Sequence, residues 1–172
     1  MLIALGGLPG TGKSTVAREI ARLHAATWLR IDVIEQALRT AQPQAEVGAA
    51  GYAVAYALAR ANLALGQTVV ADCVNPLGLT RAAWRAVAAD AGVPVVEVEL
   101  FCSDAAEHRR RVESRVADIA GLVQPNWAAV QQRAYERWTT PRLAIDTAQL
   151  GAAEAARTIL RASGLKAAER RP

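Results

Sequence analysis

The sequence predicts a doubly wound α/β domain with a parallel β-sheet, and three observations lead to this fold class. Apolar, β-branched runs alternate with segments whose apolar residues recur at helical spacing. A glycine-rich stretch joins the first apolar run directly to the first helical segment. Neither an internal repeat nor a linker interrupts the alternation, so we expect one domain over residues 1–172.

Five strands are expected, and aspartates lie at the ends of two of them. The strands are assigned to residues 2–5, 27–31, 67–72, 94–101 and 143–147. Asp32 follows the second strand and Asp72 ends the third. The carboxyl ends of parallel strands lie at one edge of a sheet, where ligands bind. The glycine-rich stretch and both aspartates are therefore expected to form a single site.

Seven helices are predicted from periodicity and capping residues. They are assigned to residues 13–24, 33–40, 47–65, 80–91, 104–115, 126–140 and 149–162. Thr80 is expected to cap the fourth helix, and Ser103 or Asp104 the fifth, where Glu107 would complete a capping box. Residues 117–124 are predicted to form a mobile loop, and residues 164–172 a basic, frayed tail.

The third predicted helix carries two stripes of large side chains. One stripe is apolar and consists of Val54, Leu58, Ala61 and Leu65. This stripe is expected to face the core. Nearly opposite lie Tyr52, Tyr56 and Arg60 at four-residue spacing. The two tyrosines either pack against neighbouring elements or line a substrate pocket, and the sequence leaves both interpretations open.

The composition is that of a globular protein with a basic charge. Hydrophobic residues make up 52% of the chain, and the net charge is +4, with arginine supplying 18 of the 20 basic residues. A basic chain can bind nucleic acid, but phosphate-handling enzymes also need arginines, so a nucleic-acid partner is not favoured. Cys73 and Cys102 lack metal-ligand spacing, and no apolar run approaches the roughly twenty residues of a membrane span. We therefore expect a cytoplasmic protein.

Residues 7–14 match the phosphate-loop pattern G-x-x-x-x-G-K-[ST] without a gap. Glycines suit such a loop because its backbone N–H groups turn inward around a polyphosphate, and the helix that follows adds its own unpaired N–H groups. Lys13 would reach the β- and γ-phosphates, and the Ser14 hydroxyl would hold Mg²⁺. The residues predicted to contact the nucleotide are Gly7, Pro9, Gly10, Thr11, Gly12, Lys13, Ser14 and Thr15.

Two further features fit a nucleotide site. A buried strand that ends in a carboxylate, as at Asp72, is typical of the second motif of such sites, in which the aspartate orients Mg²⁺ or its water. Arg111 and Arg115 share one face of the fifth helix, where like charges repel. Either this is a solvated basic face balanced by Glu107 and Glu113, or the pair awaits an anion and stabilises charge that develops on a transferred phosphoryl group.

Together these motifs resemble a group of P-loop kinases that includes phage polynucleotide 5′-kinases, zeta toxins, chloramphenicol phosphotransferase and gluconate kinases. The matching stretches are GLPGTGKST at 7–15, RID at 30–32, VVADCVNP at 69–76 and Arg111-x-x-x-Arg115. The resemblance covers about residues 1–116 and, weakly, 145–147. It implies a single-domain P-loop kinase fold with a helical lid at about 104–125.

The resemblance also implies roles for individual residues. Asp32 would be the general base that accepts a proton from the acceptor hydroxyl, and Asp72 would help hold Mg²⁺. Arg111 and Arg115 would be lid arginines over ATP, and Asp146 and Thr147 would lie near the adenine. The residues expected to contact the acceptor are Asp32, Glu35, Tyr52, Tyr56, Asn75 and Arg81, of which Asn75 and Arg81 are most similar to the polynucleotide kinases.

Glu35 departs from the pattern of this group. Several of these kinases carry an arginine three residues after the base, where it helps hold the acceptor, whereas this chain has a glutamate. An unpaired acidic side chain there would repel a phosphorylated or polynucleotide acceptor, so a sugar, alcohol or cationic acceptor fits better. Glu35 can equally pair with Arg39, its i, i+4 neighbour.

The sequence therefore predicts an ATP- and Mg²⁺-dependent kinase that transfers the γ-phosphoryl group to a hydroxyl of a small molecule. Two alternatives remain at this stage. One is a polynucleotide or nucleoside 5′-kinase. The other is an ATP-binding switch or toxin-like module that phosphorylates no small acceptor.

Overall fold

A parallel sheet forms the centre of the protein, described here as a computed structural model that covers residues 1–167. Its five strands are β1 (Leu2–Gly6), β2 (Ala26–Arg30), β3 (Thr68–Asp72), β4 (Val95–Phe101) and β5 (Leu143–Asp146). Their order across the sheet is β2-β3-β1-β4-β5, so the first strand of the chain lies in the middle. The predicted fold class and all five predicted strands are confirmed.

Helices flank the sheet. They are α1 (Lys13–Leu23), α2 (Ile31–Ala41), α3 (Ala50–Ala64), α4 (Gly78–Asp90), α5 (Ala105–Ser114), α6 (Trp127–Gln131) and α7 (Ala152–Ala162). Within residues 1–167, none of them has the length and apolar character needed to cross a membrane. The predicted tail at 164–172 lies partly outside the described residues.

One core cluster lies on each face of the sheet, and β1 contributes to both. Successive side chains of a strand point to opposite faces. Leu2 and Ala4 therefore belong to the cluster shared with α3 and α4, and Ile3 and Leu5 to the cluster shared with α1 and α7. All of β1 is buried, which fixes the position of the turn that follows it.

The helix predicted at 47–65 is present as α3, but its buried face was predicted wrongly. The side chains that face the core are Gly51, Ala55, Ala59 and Leu63. The predicted core stripe is exposed instead, up to 77% at Leu65. Small residues at four-residue spacing let the helix backbone lie close to neighbouring elements. A prediction based on hydrophobicity alone does not take the size of side chains into account, so it selects the larger apolar residues instead.

One predicted cap and the predicted capping box differ from the structure. Leu77, and not Thr80, is the N-cap of α4, and the Thr80 hydroxyl donates to the Leu77 carbonyl at 2.9 Å. Asp104 caps α5 as one of the two predicted candidates, accepting from the N–H groups of Ala106 and Glu107. The Glu107 side chain does not close a capping box, because it pairs with arginines further along α5.

The helix predicted at 126–140 begins as expected but ends early. Asn126 caps α6 by accepting from the Ala129 N–H at 2.9 Å, yet α6 stops at Gln131. The Glu136 N–H donates to the Pro76 carbonyl at 2.8 Å, and the Glu136 carboxylate accepts from the Gly78 N–H at 2.6 Å. These contacts bind the segment after Gln131 to the turn before α4, so it cannot continue the helix.

Candidate active site

The turn between β1 and α1 has the backbone of an anion cradle. Gly7, Gly10 and Gly12 have φ values of 143°, 86° and 85°, which favour glycine. A Cβ at Gly7 would collide with the Leu100 carbonyl oxygen, and one at Gly10 would lie 2.5 Å from Val112 Cγ2 on α5. No side chain caps α1, so its first N–H groups are left for a ligand.

A cleft of about 860 Å³ opens at the carboxyl edge of the sheet, beside this turn. Its lining includes Pro9, Gly10, Gly12, Lys13, Ser14, Thr15, Asp32, Glu35, Asp72, Arg111 and Arg115. The structure therefore brings the phosphate loop, both strand-end aspartates, Arg111 and Arg115 together. Gly7 and Thr11 belong to the loop but do not line the cleft, and the Thr11 hydroxyl donates to the Leu8 carbonyl at 2.9 Å.

Lys13 and Asp72 are buried opposite charges at the base of the cleft. The Lys13 ammonium donates to the Leu8 carbonyl at 2.8 Å. Burial lowers the pKa of Lys13, against the effect of the nearby Asp72 and Asp32 carboxylates. Burial raises the pKa of Asp72, against the effects of the Lys13 charge and of a hydrogen bond with Ser14. Each charge is thus removed from water and is held by the other side chains of the site.

Asp72 has two further partners, both from β2. The Trp28 Nε1–H donates to Asp72 Oδ2 at 3.3 Å, and Arg30 Nε lies 3.9 Å from the same oxygen. Both contacts follow from the parallel register, in which Arg30 lies beside Asp72 and Trp28 beside Val70. They fix one carboxylate oxygen of Asp72 at the β2 side of the sheet.

Asp32 occupies the first turn of α2, directly after β2, and lines the cleft. One turn later, Glu35 accepts from Arg39 Nη2 at 3.2 Å. The predicted pairing of these two side chains is therefore present. Gly51 of α3 leaves the space that Glu35 needs, because a Cβ there would collide with Glu35 Cγ.

Arg111 and Arg115, the two arginines predicted to belong to a lid, differ in their contacts. Arg111 is held by Glu107 at 2.7 Å and by the hydroxyl and carbonyl of Thr147 at 2.9 and 3.0 Å. Hydrogen bonds from Arg110 and Arg111 lower the pKa of Glu107 to about 2. Arg115 contacts the Pro125 carbonyl at 3.5 Å and has no carboxylate partner among residues 1–167, while burial lowers its pKa. The charge of Arg111 is therefore balanced by a direct ion pair with Glu107, whereas Arg115 is affected by Asp32 and Asp118 only at longer range.

A second, smaller cavity of about 250 Å³ adjoins the phosphate loop on the β5 side. Gly12, Thr15, Arg111, Thr147 and Leu150 are among its lining residues. Asp146 does not line either cavity. Its carboxylate accepts from the Ser103 N–H and hydroxyl and from the Ala148 N–H, which lowers its pKa and leaves it a turn-forming role.

Four residues expected to contact the acceptor lie outside the cleft lining: Tyr52, Tyr56, Asn75 and Arg81. The Tyr52 hydroxyl accepts from the Asn75 N–H, and the Tyr56 hydroxyl donates to the Thr80 carbonyl. Arg81 is buried, donates to three backbone carbonyls and lies 4.1 Å from the Trp138 ring. Asn75 and Arg81 are buried, and the two tyrosines are half-buried. Their contacts organise the turn after β3 and favour the packing interpretation of the tyrosines, while the buried side-chain amide of Asn75 has no hydrogen-bond partner among residues 1–167.

Sequence reasoning missed four side chains around the cleft. His108 Nε2–H donates to the Pro9 carbonyl at 2.8 Å and so joins α5 to the phosphate loop. Arg18 and Asp118 line the cleft, and Trp28 supports Asp72. No motif marked these positions, since His108 lies within a run of arginines and Asp118 in a segment without regular structure.

The fold and the cleft define a nucleotide-binding domain of the P-loop kinase class. Residues 2–134 match the family model described as AAA domain, and the chain belongs to that family. No curated protein matches it significantly.

Several solved structures share this fold. Mycobacterium tuberculosis APS kinase CysC, in complex with AMPPNP and APS, is 22% identical, with a TM-score of 0.68 over 93% of this chain and 95% of that one. A gluconokinase from Sinorhizobium meliloti is 22% identical, with a TM-score of 0.64 over 94% and 93%. Chaetomium thermophilum Kti12, in complex with ADP-AlF3, is 21% identical, with a TM-score of 0.68 over 94% and 96%. At this identity the likeness concerns the fold.

Proposed function

We propose that this protein is an ATP- and Mg²⁺-dependent phosphotransferase that moves the γ-phosphoryl group to a hydroxyl of a small molecule. The observation that carries the proposal is the shared cleft, in which the phosphate loop with Lys13 and the carboxylate of Asp32 line one continuous space. A hydrolase needs only water beside the phosphates. A cleft of about 860 Å³ has room for a second substrate as well, and the Asp32 carboxylate lies in the wall of that cleft.

ATP would lie across the carboxyl edge of the sheet. The loop N–H groups and Lys13 would hold its phosphates, and the cavity beside Thr147 would receive its base. Arg111 links these two regions, because it lines both cavities and is fixed by Thr147. The sheet order then leaves the β2 side of the cleft, with Asp32 and Glu35, for the acceptor.

The residues present fit Mg²⁺. Ser14 and Asp72 offer a hydroxyl and a carboxylate oxygen, and both line the cleft beside the position expected for the phosphates. When bound there, the ion neutralises phosphate charge during transfer. Trp28 and Arg30 would keep Asp72 oriented toward Ser14.

The transfer itself would rest on positioning and charge. Asp32 would accept a hydrogen bond from the acceptor hydroxyl and orient its oxygen toward the γ-phosphorus. It would take the hydroxyl proton as the new P–O bond forms and the bond from the γ-phosphorus to the β,γ-bridging oxygen breaks, with ADP as the leaving group. Arg115, without a carboxylate partner among residues 1–167, would stabilise the negative charge on the transferred group.

The test is ATP consumption by the purified protein with Mg²⁺ against a panel of acceptors. The panel contains sugars, sugar acids, alcohols, aminoglycoside-type antibiotics, nucleosides and a 5′-hydroxyl oligonucleotide. We expect one class to stimulate turnover. Lys13→Ala should abolish both turnover and tight ATP binding, whereas Lys166→Ala, at the only other lysine, should change neither.

Asp32→Asn separates chemistry from binding. It should remove transfer, by at least about a hundredfold for a lost general base, while ATP binding stays within about twofold. Asp90→Asn is the matched control, because Asp90 is exposed and pairs with Arg60. Full transfer by Asp32→Asn would show that another group acts as base.

One observation favours a second candidate, a nucleotide-dependent switch. The exposed side chains of Val54, Leu58 and Leu65 give α3 an apolar outer face. ATP binding without turnover on any acceptor, together with ATP-dependent capture of a protein partner, would support the switch. The polynucleotide alternative has less support, because Arg81 is buried and bound to backbone carbonyls.

A further inference from the structure

We propose that Arg18 and Arg30 form an anion-binding subsite of the acceptor pocket, held in this structure by the carboxylate of Asp118. The acceptor would then be an anionic molecule whose carboxylate or phosphate displaces Asp118. This inference rests on the proposed function and names its substrate class.

The contacts of Asp118 are those of a bound oxyanion. Arg30 donates to both carboxylate oxygens of Asp118, at 2.6 and 3.0 Å. Arg18 Nη2 lies 3.5 Å from Oδ2 of the same carboxylate. A guanidinium that donates two parallel hydrogen bonds matches a carboxylate or a phosphate equally well. The site is therefore already shaped for an oxyanion.

The two arginines each have a further partner, whereas Asp118 contacts only these two arginines among the described side chains. Arg30 is largely enclosed, with 13% of its side chain exposed, and it lies between Asp118 and Asp72. The Arg18 guanidinium lies 5.7 Å from the centre of the Trp28 ring, on a cation–π contact. Asp118 is 46% exposed and belongs to the segment between α5 and α6, which has neither helix nor strand. An exposed partner on such a segment is weakly held and can be displaced.

The position of this cluster matches the acceptor side. Arg18, Arg30 and Asp118 all line the large cleft, with Arg30 at the end of β2, two residues before Asp32. The cavity beside Thr147, proposed for the base, lies beside β5 at the other edge of the sheet. An anion on Arg18 and Arg30 would therefore belong to the acceptor and not to the nucleotide base.

Glu35 no longer argues against an anionic acceptor. Its carboxylate accepts from Arg39 at 3.2 Å, so its charge is balanced locally. Once Asp118 leaves, Arg18 and Arg30 present two positive charges to the cleft. Among residues 1–167, Arg18 then has no carboxylate within 4 Å, whereas Arg30 keeps Asp72 at 3.9 Å and the charge of Asp32 nearby.

The test uses the full chain saturated with AMPPNP and Mg²⁺, so that the phosphate loop is occupied, and titrates inorganic phosphate by calorimetry. Arg18→Gln and Arg30→Gln should each weaken phosphate binding at least about fivefold. Asp118→Asn should tighten it by a similar factor, because the internal competitor loses its charge. Arg22→Gln, one turn along α1 on an exposed pair with Glu19, should leave it unchanged.

The outcomes separate this subsite from the proposed function. Binding of AMPPNP with no phosphate binding, or with phosphate binding that is insensitive to Arg18→Gln and Asp118→Asn, would overturn the subsite alone. Failure of AMPPNP to bind would overturn both proposals. Arg18 is 45% exposed, so Arg18→Gln should fold even if Arg30→Gln does not.

The chemical source of the anion follows from acceptor kinetics. With matched sugars, sugar acids and sugar phosphates, the preferred acceptor should carry an anion, and Arg18→Gln should raise its KM at least about fivefold without changing the KM of a neutral sugar. Preference for the acid or for the phosphate identifies the group. A neutral sugar as the preferred acceptor, or an anionic acceptor whose KM is unchanged by Arg18→Gln, would contradict the proposal.

Discussion

The indole of Trp28 is a partner of Asp72 that lies outside every motif. Its Nε1–H donates to the buried Oδ2 of this carboxylate at 3.3 Å. A carboxylate that must face both Ser14 and a metal ion benefits from a donor that fixes its other oxygen, as for the supporting contacts of metal ligands generally. Trp28 is therefore a positioning residue for the proposed Mg²⁺ site.

Trp28→Phe should weaken Mg²⁺ binding about five- to tenfold in the presence of AMPPNP, since it removes one hydrogen bond to a charged group while keeping most of the ring. Affinity for AMPPNP without Mg²⁺ should stay within about twofold. Calorimetric titrations with and without the ion measure both quantities. Equal losses in the two titrations would mean that the substitution disturbs packing instead.

At the scale of elements, α5 contacts the phosphate loop directly. His108 donates to the Pro9 carbonyl, and the Val112 side chain occupies the space over Gly10. The loop and α5 therefore leave no room for a side chain between them. Any substitution at Gly10 has to displace α5 as well as adopt an unfavourable φ.

Gly10→Ala and Gly92→Ala separate these two effects. Both glycines have positive φ, at 86° and 63°, but a Cβ at Gly92 meets nothing within 4 Å. Each alanine should cost about 1 kcal/mol of unfolding free energy through backbone strain, with a further loss for Gly10→Ala. Only Gly10→Ala should weaken AMPPNP binding, by more than about tenfold. Equal binding by both variants would refute the steric role of α5.

The outward face of α3 gives a second test at this scale. Leu58→Gln should change the free energy of unfolding by no more than about 0.5 kcal/mol, because Leu58 faces outward. Ala59→Leu should destabilise by about 1–3 kcal/mol, since Ala59 is fully buried against its neighbours. Urea unfolding of the two variants measures both values. A larger loss of unfolding free energy for Leu58→Gln than for Ala59→Leu would mean that the face predicted from the sequence is the buried one.

The elements differ in how far they could be predicted. The strands, α1 and the phosphate loop followed from period and glycine placement, because these signals are local. The buried face of α3 did not, since it depends on how closely small residues such as Ala55 and Ala59 let the helix approach its neighbours. The contacts of Arg30 and Asp118 join residues 88 positions apart, and only the folded chain brings them together.

At the scale of the whole molecule, ligand binding should raise stability through mass action. AMPPNP with Mg²⁺ at about one hundred times its Kd should add about 2.7 kcal/mol, because it binds the folded chain only. For a domain of about this size, that corresponds to roughly 5–11 °C in Tm. Thermal unfolding should show this shift for wild type and Lys166→Ala but not for Lys13→Ala. An equal shift in Lys13→Ala would place nucleotide binding away from the loop.

The central position of β1 bears on how the chain is made. β1 is translated before the two strands that it pairs with. Leu2 pairs with Val69 on one side and with Val95 on the other, and both partners are made much later. The Leu100 carbonyl against Gly7 comes later still. A nascent chain therefore carries an unpaired edge of this apolar strand until β4 has been made. Its phosphate cradle closes only after β4 has left the ribosome, so a nucleotide cannot assist the first steps of folding.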